Sequence, residues 1–326
     1  MNAKENYLTM LRGEIPEYVP SMFEPRVAHY NEEWLTPVYA PDGPVVTKLG
    51  VTYVGSKDLN NGAMPMPGVH ILEDITKWRD CIPTPDTSGF DWEAYYKDKT
   101  KDVDRKTQSL AATGGDYFLT LISFMGFENA MLALYEEPEE VKALLEYVSE
   151  FYIEVLKQQI RWLKPDTISI MDDDAALRAP VFSVEMYREF FKPYQQKHCD
   201  LARENGILLE RHDCGRSEQF VPDWVEMGIR SWNPAQTTND LVSIKKKYVG
   251  KLALCGAWDS MKWASCEDEE QYRAALKEYV DTFAPGGGFV FAAFGGGDPN
   301  APGAKMRQEA VTDVYENYAK DYYKTH

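Results

Sequence analysis

His212 and Cys214 stand two residues apart at the end of an apolar run, in the stretch Leu208–Gly215 that reads LLERHDCG. The run predicts a strand leading into a loop, and residues two apart in a strand lie on the same face. Imidazole and thiol groups both bind zinc and both take part in nucleophilic or proton-transfer chemistry. The pair therefore indicates a metal or reactive site, with a core histidine beside an inert cysteine as the alternative.

The composition describes a globular and strongly acidic chain. Its 326 residues are 44% hydrophobic and 13% aromatic, enough for a large core, and the length fits one α/β barrel or two smaller domains. The formal net charge of −17 repels phosphate backbones and anionic lipid headgroups. We therefore expect neither nucleic acid nor a membrane as a partner.

The first residues of the chain and its cysteines indicate in which cellular compartment the protein is expected. Residues 1–14 lack the apolar core of a signal peptide, and no apolar run approaches the roughly 18 residues of a spanning helix. The cysteines are odd in number, at positions 81, 199, 214, 255 and 266, and form no C-x-x-C motif. This pattern favours free thiols in a reducing compartment, so we expect a cytoplasmic protein.

Short apolar runs alternate with helical patterns from about residue 117 onward, which is typical of a parallel sheet wrapped by helices. A long helix is expected after Pro138, and another is expected to begin at Ser183, divide near Pro193 and end before Gly206. The predicted strands are Val19–Phe23, Tyr117–Ser123, Thr167–Met171, Ile207–Arg211, Ile229–Trp232, Leu252–Cys255 and Phe289–Phe294.

Residues 31–115 are interrupted by many prolines, and we expect loops and short hairpins there. They either decorate the surface or form a lid over the mouth of a barrel. The chain shows no clear linker, which predicts a single domain over residues 1–326.

Polar residues collect just after the predicted strands, where a barrel of parallel strands places its active site. An acidic run such as 172–174 either caps a helix or supplies an acid, base or substrate anchor. Cys255 is either core or a further zinc ligand beside His212 and Cys214, which would leave the fourth zinc position open. The residues are Glu24, Asp172, Asp173, Asp174, His212, Asp213, Cys214, Asn233, Gln236, Cys255, Trp258, Asp259 and the glycines Gly295, Gly296 and Gly297.

Several segments together resemble the uroporphyrinogen decarboxylase superfamily, within it the branch of cobalamin-dependent methyltransferases. The resemblance implies a TIM (β/α)8 barrel with an N-terminal extension and loop insertions. The segments are LRGEIP at 11–16 with Val19-Pro20, FSVEMYREFFKP at 182–193, HDCG at 212–215, WNPAQ at 232–236 and APGGGF at 284–289.

Two departures from the family pattern bear on function. Where the porphyrin decarboxylases carry an arginine-rich segment that holds substrate carboxylates, this chain reads FEPRVAH at 23–29. The methyltransferases bind zinc through His-x-Cys and a cysteine after the last strand, but the corresponding loop, AFGGGD at 293–298, contains no cysteine. Either Cys255 or a carboxylate replaces that ligand, or no zinc is bound.

The resemblance leads to the expectation of an enzyme that moves a methyl group from a small methylated donor, an aryl methyl ether, to cob(I)alamin on a partner corrinoid protein. His212 with Asp172 or Asp173 is expected to assist the departing oxygen. Glu24, Asn233, Gln236 and Trp258 are expected to bind the donor, and Gly295, Gly296 and Gly297 to contact the corrinoid cofactor. Three alternatives stay open: a decarboxylase, a methylcorrinoid:thiol methyltransferase and a noncatalytic binder of a corrinoid protein. The sequence also leaves open whether the chain forms a homo-oligomer.

Overall fold

Parallel strands wrapped by helices form the body of the protein, in a computed structural model that describes residues 1–24, 26–28, 34–40, 42–57 and 61–326. The main sheet has seven strands in the order β1-β5-β6-β7-β8-β9-β10, and every pairing in it is parallel. These strands are β1 (Arg26–Ala28), β5 (Ser109–Thr113), β6 (Thr167–Met171), β7 (Leu208–His212), β8 (Ile229–Ala235), β9 (Ala253–Gly256) and β10 (Phe289–Phe291).

Helices follow most of these strands, as the predicted alternation requires. The long helix α6 carries an apolar stripe that includes Val141, Leu145 and Val148, all fully buried. The α-helices within the described residues are α1 (Ala3–Leu11), α2 (Trp78–Cys81), α3 (Trp92–Lys99), α4 (Phe118–Met125), α5 (Phe127–Glu136), α6 (Pro138–Gln158), α7 (Val184–Phe190), α8 (Lys192–Glu204), α9 (Val221–Met227), α10 (Leu241–Lys247), α11 (Ser260–Trp263), α12 (Glu269–Phe283), α13 (Ala304–Val314) and α14 (Tyr322–Thr325).

A short stretch near the N-terminus joins the two outer strands of the sheet. Ser21 forms a parallel bridge with Phe291 of β10, supported by hydrogen bonds from Met22 N to Phe291 O and from Phe291 N to Pro20 O. A few residues later, β1 pairs with β5 at the other side of the sheet. The sheet therefore curls into a barrel, which confirms the predicted α/β barrel fold.

One predicted strand is wrong. Residues 117–123 lie at the start of the helix α4, and the barrel strand at this point is β5, within the region that we expected to form loops. A short apolar run does not by itself distinguish a strand from a buried helix. A helix cap favours the helix here. The carboxylate of Asp172 accepts hydrogen bonds from the backbone N–H groups of Tyr117, Phe118 and Leu119, at the first turn of α4.

The remaining predicted strands and helices are confirmed, with different end residues in several of them. β6 has the predicted bounds, β7 to β9 begin or end one to three residues away from them, and β10 stops at Phe291. The predicted strand Val19–Phe23 is reduced to the bridge at Ser21. Ser183 caps α7 by accepting a hydrogen bond from Met186 N, and Pro193 lies in the first turn of α8, so it divides the two helices as expected.

The proline-rich region forms a small sheet beside the barrel. β2 (Val45–Val46), β3 (Thr52–Ser56) and β4 (Gly62–Pro65) pair antiparallel in that order. Positions 31–33, 41 and 58–60 of this region lie outside the described residues. No single helix in the described ranges passes a length and apolarity test for crossing a membrane, while α4 and α5 pass it together with a bend of 110° between them.

A buried charge cluster lies between the barrel wall and its helices. The Arg211 guanidinium donates hydrogen bonds to both Asp174 and Asp213, and all three side chains are fully buried. Its charge also lies 5.0 Å from the ring centre of Trp224. Because Arg211 follows Glu210 and precedes His212, strand alternation points it away from the barrel interior.

We expect the substitution Arg211→Met to destabilise the fold by about 3–5 kcal/mol, since it leaves two buried carboxylates without their cation. The matched control is Arg216→Met, which removes a half-exposed pair with Glu218 and should change stability by less than about 1 kcal/mol. Urea denaturation followed by circular dichroism measures both. Equal stability of the two variants would contradict a structural role for Arg211.

Candidate active site

A cavity of about 550 Å³ lies inside the barrel and opens at the carboxyl ends of its strands. His212, Asn233 and Gln236 line its upper part, and Trp258 and Phe294 line its mouth. Among the described residues from 34 to 108 none lines this cavity, so the structure gives no support to a lid from that region.

The orientation of His212 is set by the strand beside it. His212 of β7 pairs with Asn233 of β8, and its Nδ1 donates a hydrogen bond to Asn233 Oδ1 at 2.9 Å. Because an amide oxygen only accepts, this contact places a proton on Nδ1. Nε2 lies 3.7 Å from Cys214 Sγ, so imidazole and thiol converge as their spacing predicts.

Asp173 joins this pair from the end of β6. Its Oδ1 accepts a hydrogen bond from the backbone N–H of Cys214 at 2.9 Å, which ties the two loops together. One ligand atom from each of Asp173, His212 and Cys214 lies within 4.8 Å of the others, and all three side chains are half-buried. We call these three residues the Asp-His-Cys cluster.

The chemistry of the cluster suits a divalent metal with mixed ligands. Zinc binds cysteine sulfur at about 2.3 Å and histidine nitrogen or carboxylate oxygen at about 2.0–2.2 Å, and three protein ligands leave a fourth position open. The hydrogen bond from His212 to Asn233 is the outer contact that a metal-binding histidine needs to fix its tautomer. The residues present therefore fit a zinc ion.

The thiol of Cys214 is neutral in the absence of a cation. Burial raises its pKa far above the ordinary value, and the negative charges of Asp173 and Asp213 raise the pKa further. A bound cation reverses this balance, because metal ligation takes the deprotonated thiolate.

Gln236 and Asn239 hold the backbone of the loop after β7. The side-chain oxygen of Gln236 accepts a hydrogen bond from Gly215 N at 2.7 Å, and the amide of Asn239 donates to Gly215 O at 2.9 Å. The chain reaches Gln236 through the cis peptide bond between Asn233 and Pro234, within β8. Gln236, expected as a donor-binding residue, thus lines the cavity and also fixes the Cys214 loop.

The structure corrects the role expected for Asp172. This side chain is fully buried, caps α4 through three backbone N–H groups and accepts a further hydrogen bond from the Gln195 amide at 3.2 Å. It does not line the cavity. Asp173 is not among the cavity-lining residues either, but it lies beside His212 and Cys214, so of the two aspartates proposed to assist the departing oxygen it is the one next to His212.

Cys255, the other candidate zinc ligand, is not part of the Asp-His-Cys cluster. It lines a lower part of the cavity, where Arg26 and Glu210 act on it electrostatically, and burial raises the pKa of its thiol to about 12. Position along the strand explains why Cys255 lies lower than Cys214. Cys255 lies within β9, whereas Cys214 lies in the loop beyond β7. The residue that lies beside His212 and Cys214 is instead Asp173, and its role as a zinc ligand stays a prediction.

The other predicted contacts lie around the mouth. Glu24 lines the cavity, accepts a hydrogen bond from Tyr315 OH at 3.1 Å, and has its pKa raised by burial. Trp258 also lines it, and stacks on Trp263 with ring centres 6.0 Å apart. The contacts of these residues with a donor stay predictions.

The glycines of the last loop have a packing role. Gly296 and Gly297 adopt positive φ angles of 64° and 72°, and a Cβ on Gly296 would lie 2.5 Å from Ser260 O. Gly295 O accepts a hydrogen bond from the buried Arg307 at 2.9 Å. The positive φ angles account for Gly296 and Gly297, and contact of the three glycines with a corrinoid stays a prediction.

Two cavity residues were missed at the level of sequence. Tyr7 of α1 and Arg26 of β1 line the lower cavity and both contact Glu210. The spacing of Glu210 and His212 in β7 puts both on one strand face, and this signal could have placed Glu210 inside the barrel. Nothing in the sequence pairs it with Tyr7, which lies 203 residues away.

Comparison with known proteins agrees with the observed architecture. The sequence model of the family described as uroporphyrinogen decarboxylase (URO-D) matches residues 84–312. A solved structure of a methyltransferase from Methanosarcina mazei covers 97% of this chain and 99% of its own, with a TM-score of 0.62 at 15% identity. A Xaa-Pro dipeptidase with bound methionine covers 70% of this chain and 50% of its own at 11% identity, and its TM-score of 0.27 supports no comparison. No curated protein matches the sequence.

We expect Cys214 to react at least tenfold more slowly with iodoacetamide at pH 7.5 than the exposed Cys81, because burial and Asp173 keep its thiol protonated. Removing one negative charge with Asp173→Asn should speed the reaction of Cys214 and leave that of Cys81 unchanged. Peptide mass spectrometry of chelator-treated protein over time measures both rates. Fast labelling of Cys214 in the unaltered protein would contradict the described environment.

Proposed function

This chain belongs to the uroporphyrinogen decarboxylase family, and we propose that it is a methyltransferase that moves a methyl group from an aryl methyl ether to cob(I)alamin on a partner corrinoid protein. The observation that carries the proposal is the convergence of Asp173 and Cys214 on His212, which lines the upper part of a cavity large enough for a small aromatic donor.

The step requires the oxygen–carbon bond of the donor to break as the methyl group passes to cobalt. Both electrons of that bond stay with the oxygen, which leaves as a phenolate or takes up a proton. A group that stabilises negative charge on this oxygen lowers the barrier. Zinc, when bound to the Asp-His-Cys cluster, supplies Lewis acidity for this purpose.

The chain's own residues position the reaction. Asn233 keeps the His212 ring turned toward Cys214, and Asp173 and Gln236 hold the backbone on either side of the thiol. A fixed arrangement of this kind lowers the entropic part of the barrier, which is a large part for a group transfer between two bound partners.

The rim of the cavity suits the approach of a large partner. Met22 and Phe294 line the cavity and are 50% and 46% exposed, and their neighbours Phe23 and Met261 are 63% and 79% exposed. A cluster of exposed large apolar side chains at a cavity mouth is typical of an interaction surface. It supports docking of the corrinoid protein at this end of the barrel.

The charges of the cavity argue against a porphyrin polyacid. Among the described cavity-lining residues Arg26 is the one arginine or lysine, and Glu210 neutralises it. A decarboxylase for such a substrate needs several free cations to hold the carboxylates. This cavity instead suits a neutral donor.

We expect chelator-treated protein to take up one zinc ion and the variants Cys214→Ser and Asp173→Asn to bind it at least tenfold more weakly. Affinity should rise with pH, since the Cys214 proton must leave on ligation. The control is Cys255→Ser, which lies outside the cluster and should bind zinc normally. Competition with a chromophoric chelator measures affinity, and loss of zinc in the control alone would contradict the ligand assignment.

Methyl transfer itself is tested with reduced corrinoid protein and a panel of methoxybenzenes. We expect the cobalt spectrum to change from Co(I) to methyl-Co(III), and the rate to fall at least 100-fold in Cys214→Ser but not in Cys81→Ser. Methanol, methylamines and thioethers extend the panel. No spectral change with any donor would contradict a methyl-donor function, and demethylation of methyl-Co(III) by an added thiol would favour the thiol methyltransferase instead.

A further inference from the structure

The barrel is hollow beneath the Asp-His-Cys cluster. The interior of such a barrel is usually filled by valine, isoleucine and leucine side chains. Here the cavity runs from Trp258 at the mouth to Tyr7 of α1. The space stays open because interior positions carry small side chains, namely Ala28, Ser109, Ala111, Ser169, Cys255 and Ala292.

The N-terminal helix closes the lower end of the cavity. Leu8, Met10 and Leu11 of α1 pack against Ala253 and Val290 at the amino ends of β9 and β10. The Tyr7 hydroxyl of the same helix turns into the barrel and donates to the Glu210 carboxylate. A polar group thus lies at the floor of a pocket whose walls are largely apolar.

Arg26 is the charged group of this floor that lines the cavity. Its guanidinium donates to Glu210, and also to Tyr7 OH at 3.2 Å and Thr167 Oγ1 at 3.3 Å. Its side chain is 29% exposed although it lies within the barrel, whereas the Glu210 side chain is fully buried. Arg26 is therefore the member of this ion pair that lines the cavity.

The charges of Arg26 and Glu210 determine which ligand groups can bind at this floor. Arg26 and Glu210 cancel, so the cavity meets N–H donors without a net positive charge. A carboxylate brought to Arg26 would also meet the negative charge of Glu210, whereas a neutral oxygen accepts a hydrogen bond without that repulsion. The floor suits a hydroxyl, ether or carbonyl oxygen.

We propose that the methyl donor lies within the barrel, with its methyl ether at the Asp-His-Cys cluster and a second, neutral oxygen at its far end hydrogen-bonded to Arg26. The proposal rests on the methyl-transfer function given above and narrows the donor to a ring that carries oxygen at both ends. Glu210 and His212 are two residues apart in β7, a rise of about 7 Å, which is the scale of one substituted benzene ring.

Isothermal titration of the zinc-loaded protein with 4-methoxyphenol and with anisole tests the proposal without a corrinoid partner. We expect 4-methoxyphenol to bind roughly fivefold to tenfold more tightly than anisole, because anisole lacks the far oxygen. The double variant Arg26→Met with Glu210→Met replaces the ion pair by uncharged side chains of similar size and should abolish this preference while anisole still binds.

Filling the barrel tests the position of the ring. Ala111→Leu, and Ser169→Val as a milder second variant, should each weaken binding of both probes at least tenfold without changing zinc affinity. The control is Ala94→Leu on the exposed surface of α3, and thermal melts establish that each variant is folded. Unchanged binding in folded Ala111→Leu and Ser169→Val would place the ring outside the barrel and overturn the proposal.

The remaining outcomes separate this proposal from the function it rests on. A preference that survives the double variant, or no binding of either probe to the unaltered protein, overturns the role of Arg26. Probe binding that follows the expected pattern in a protein that methylates no corrinoid supports the pocket and contradicts the proposed reaction.

Discussion

The parallel pairing of β6, β7 and β8 sets the position of the groups around His212. Met171 pairs with His212, and His212 pairs with Asn233, so one row of residues crosses three strands. The loops that follow then bring Asp173 beside Cys214, where a hydrogen bond joins them. A shift of one residue in this register would turn His212 away from the cavity.

The same alternation separates the acidic residues by role. Asp173 turns toward Cys214, whereas Asp172 turns back to cap α4 and Asp174 turns outward to Arg211. At the end of the next strand, Asp213 also contacts Arg211, while His212 lines the cavity with Cys214 beside it. The three consecutive aspartates and Asp213 therefore have different partners, and the direction of each side chain is what distinguishes them.

Much of this arrangement follows from the sequence because it depends on local pattern. The alternation of apolar runs and helices predicts the barrel, and the two-residue spacing of His212 and Cys214 predicts their convergence. The stretch at 117–123 was misread because apolar composition does not distinguish a strand from a buried helix, and the Asp172 cap that decides it lies about 50 residues away.

The rest could not be predicted because it depends on contacts between distant residues. Which of three consecutive aspartates reaches Cys214 depends on the turn after β6, and the floor formed by Tyr7, Arg26 and Glu210 joins three separate elements. The small interior residues are each unremarkable in sequence. Their common effect, a hollow barrel, appears only when the strands are placed side by side.

The central claim is that a carboxylate replaces a second thiolate in a metal site at the end of β6 and β7. X-ray absorption at the zinc edge of the loaded protein measures the ligands directly. The account predicts one sulfur at about 2.3 Å with the other ligands, nitrogen and oxygen, at about 2.0–2.2 Å. A shell with two sulfur ligands, or with none, would contradict it.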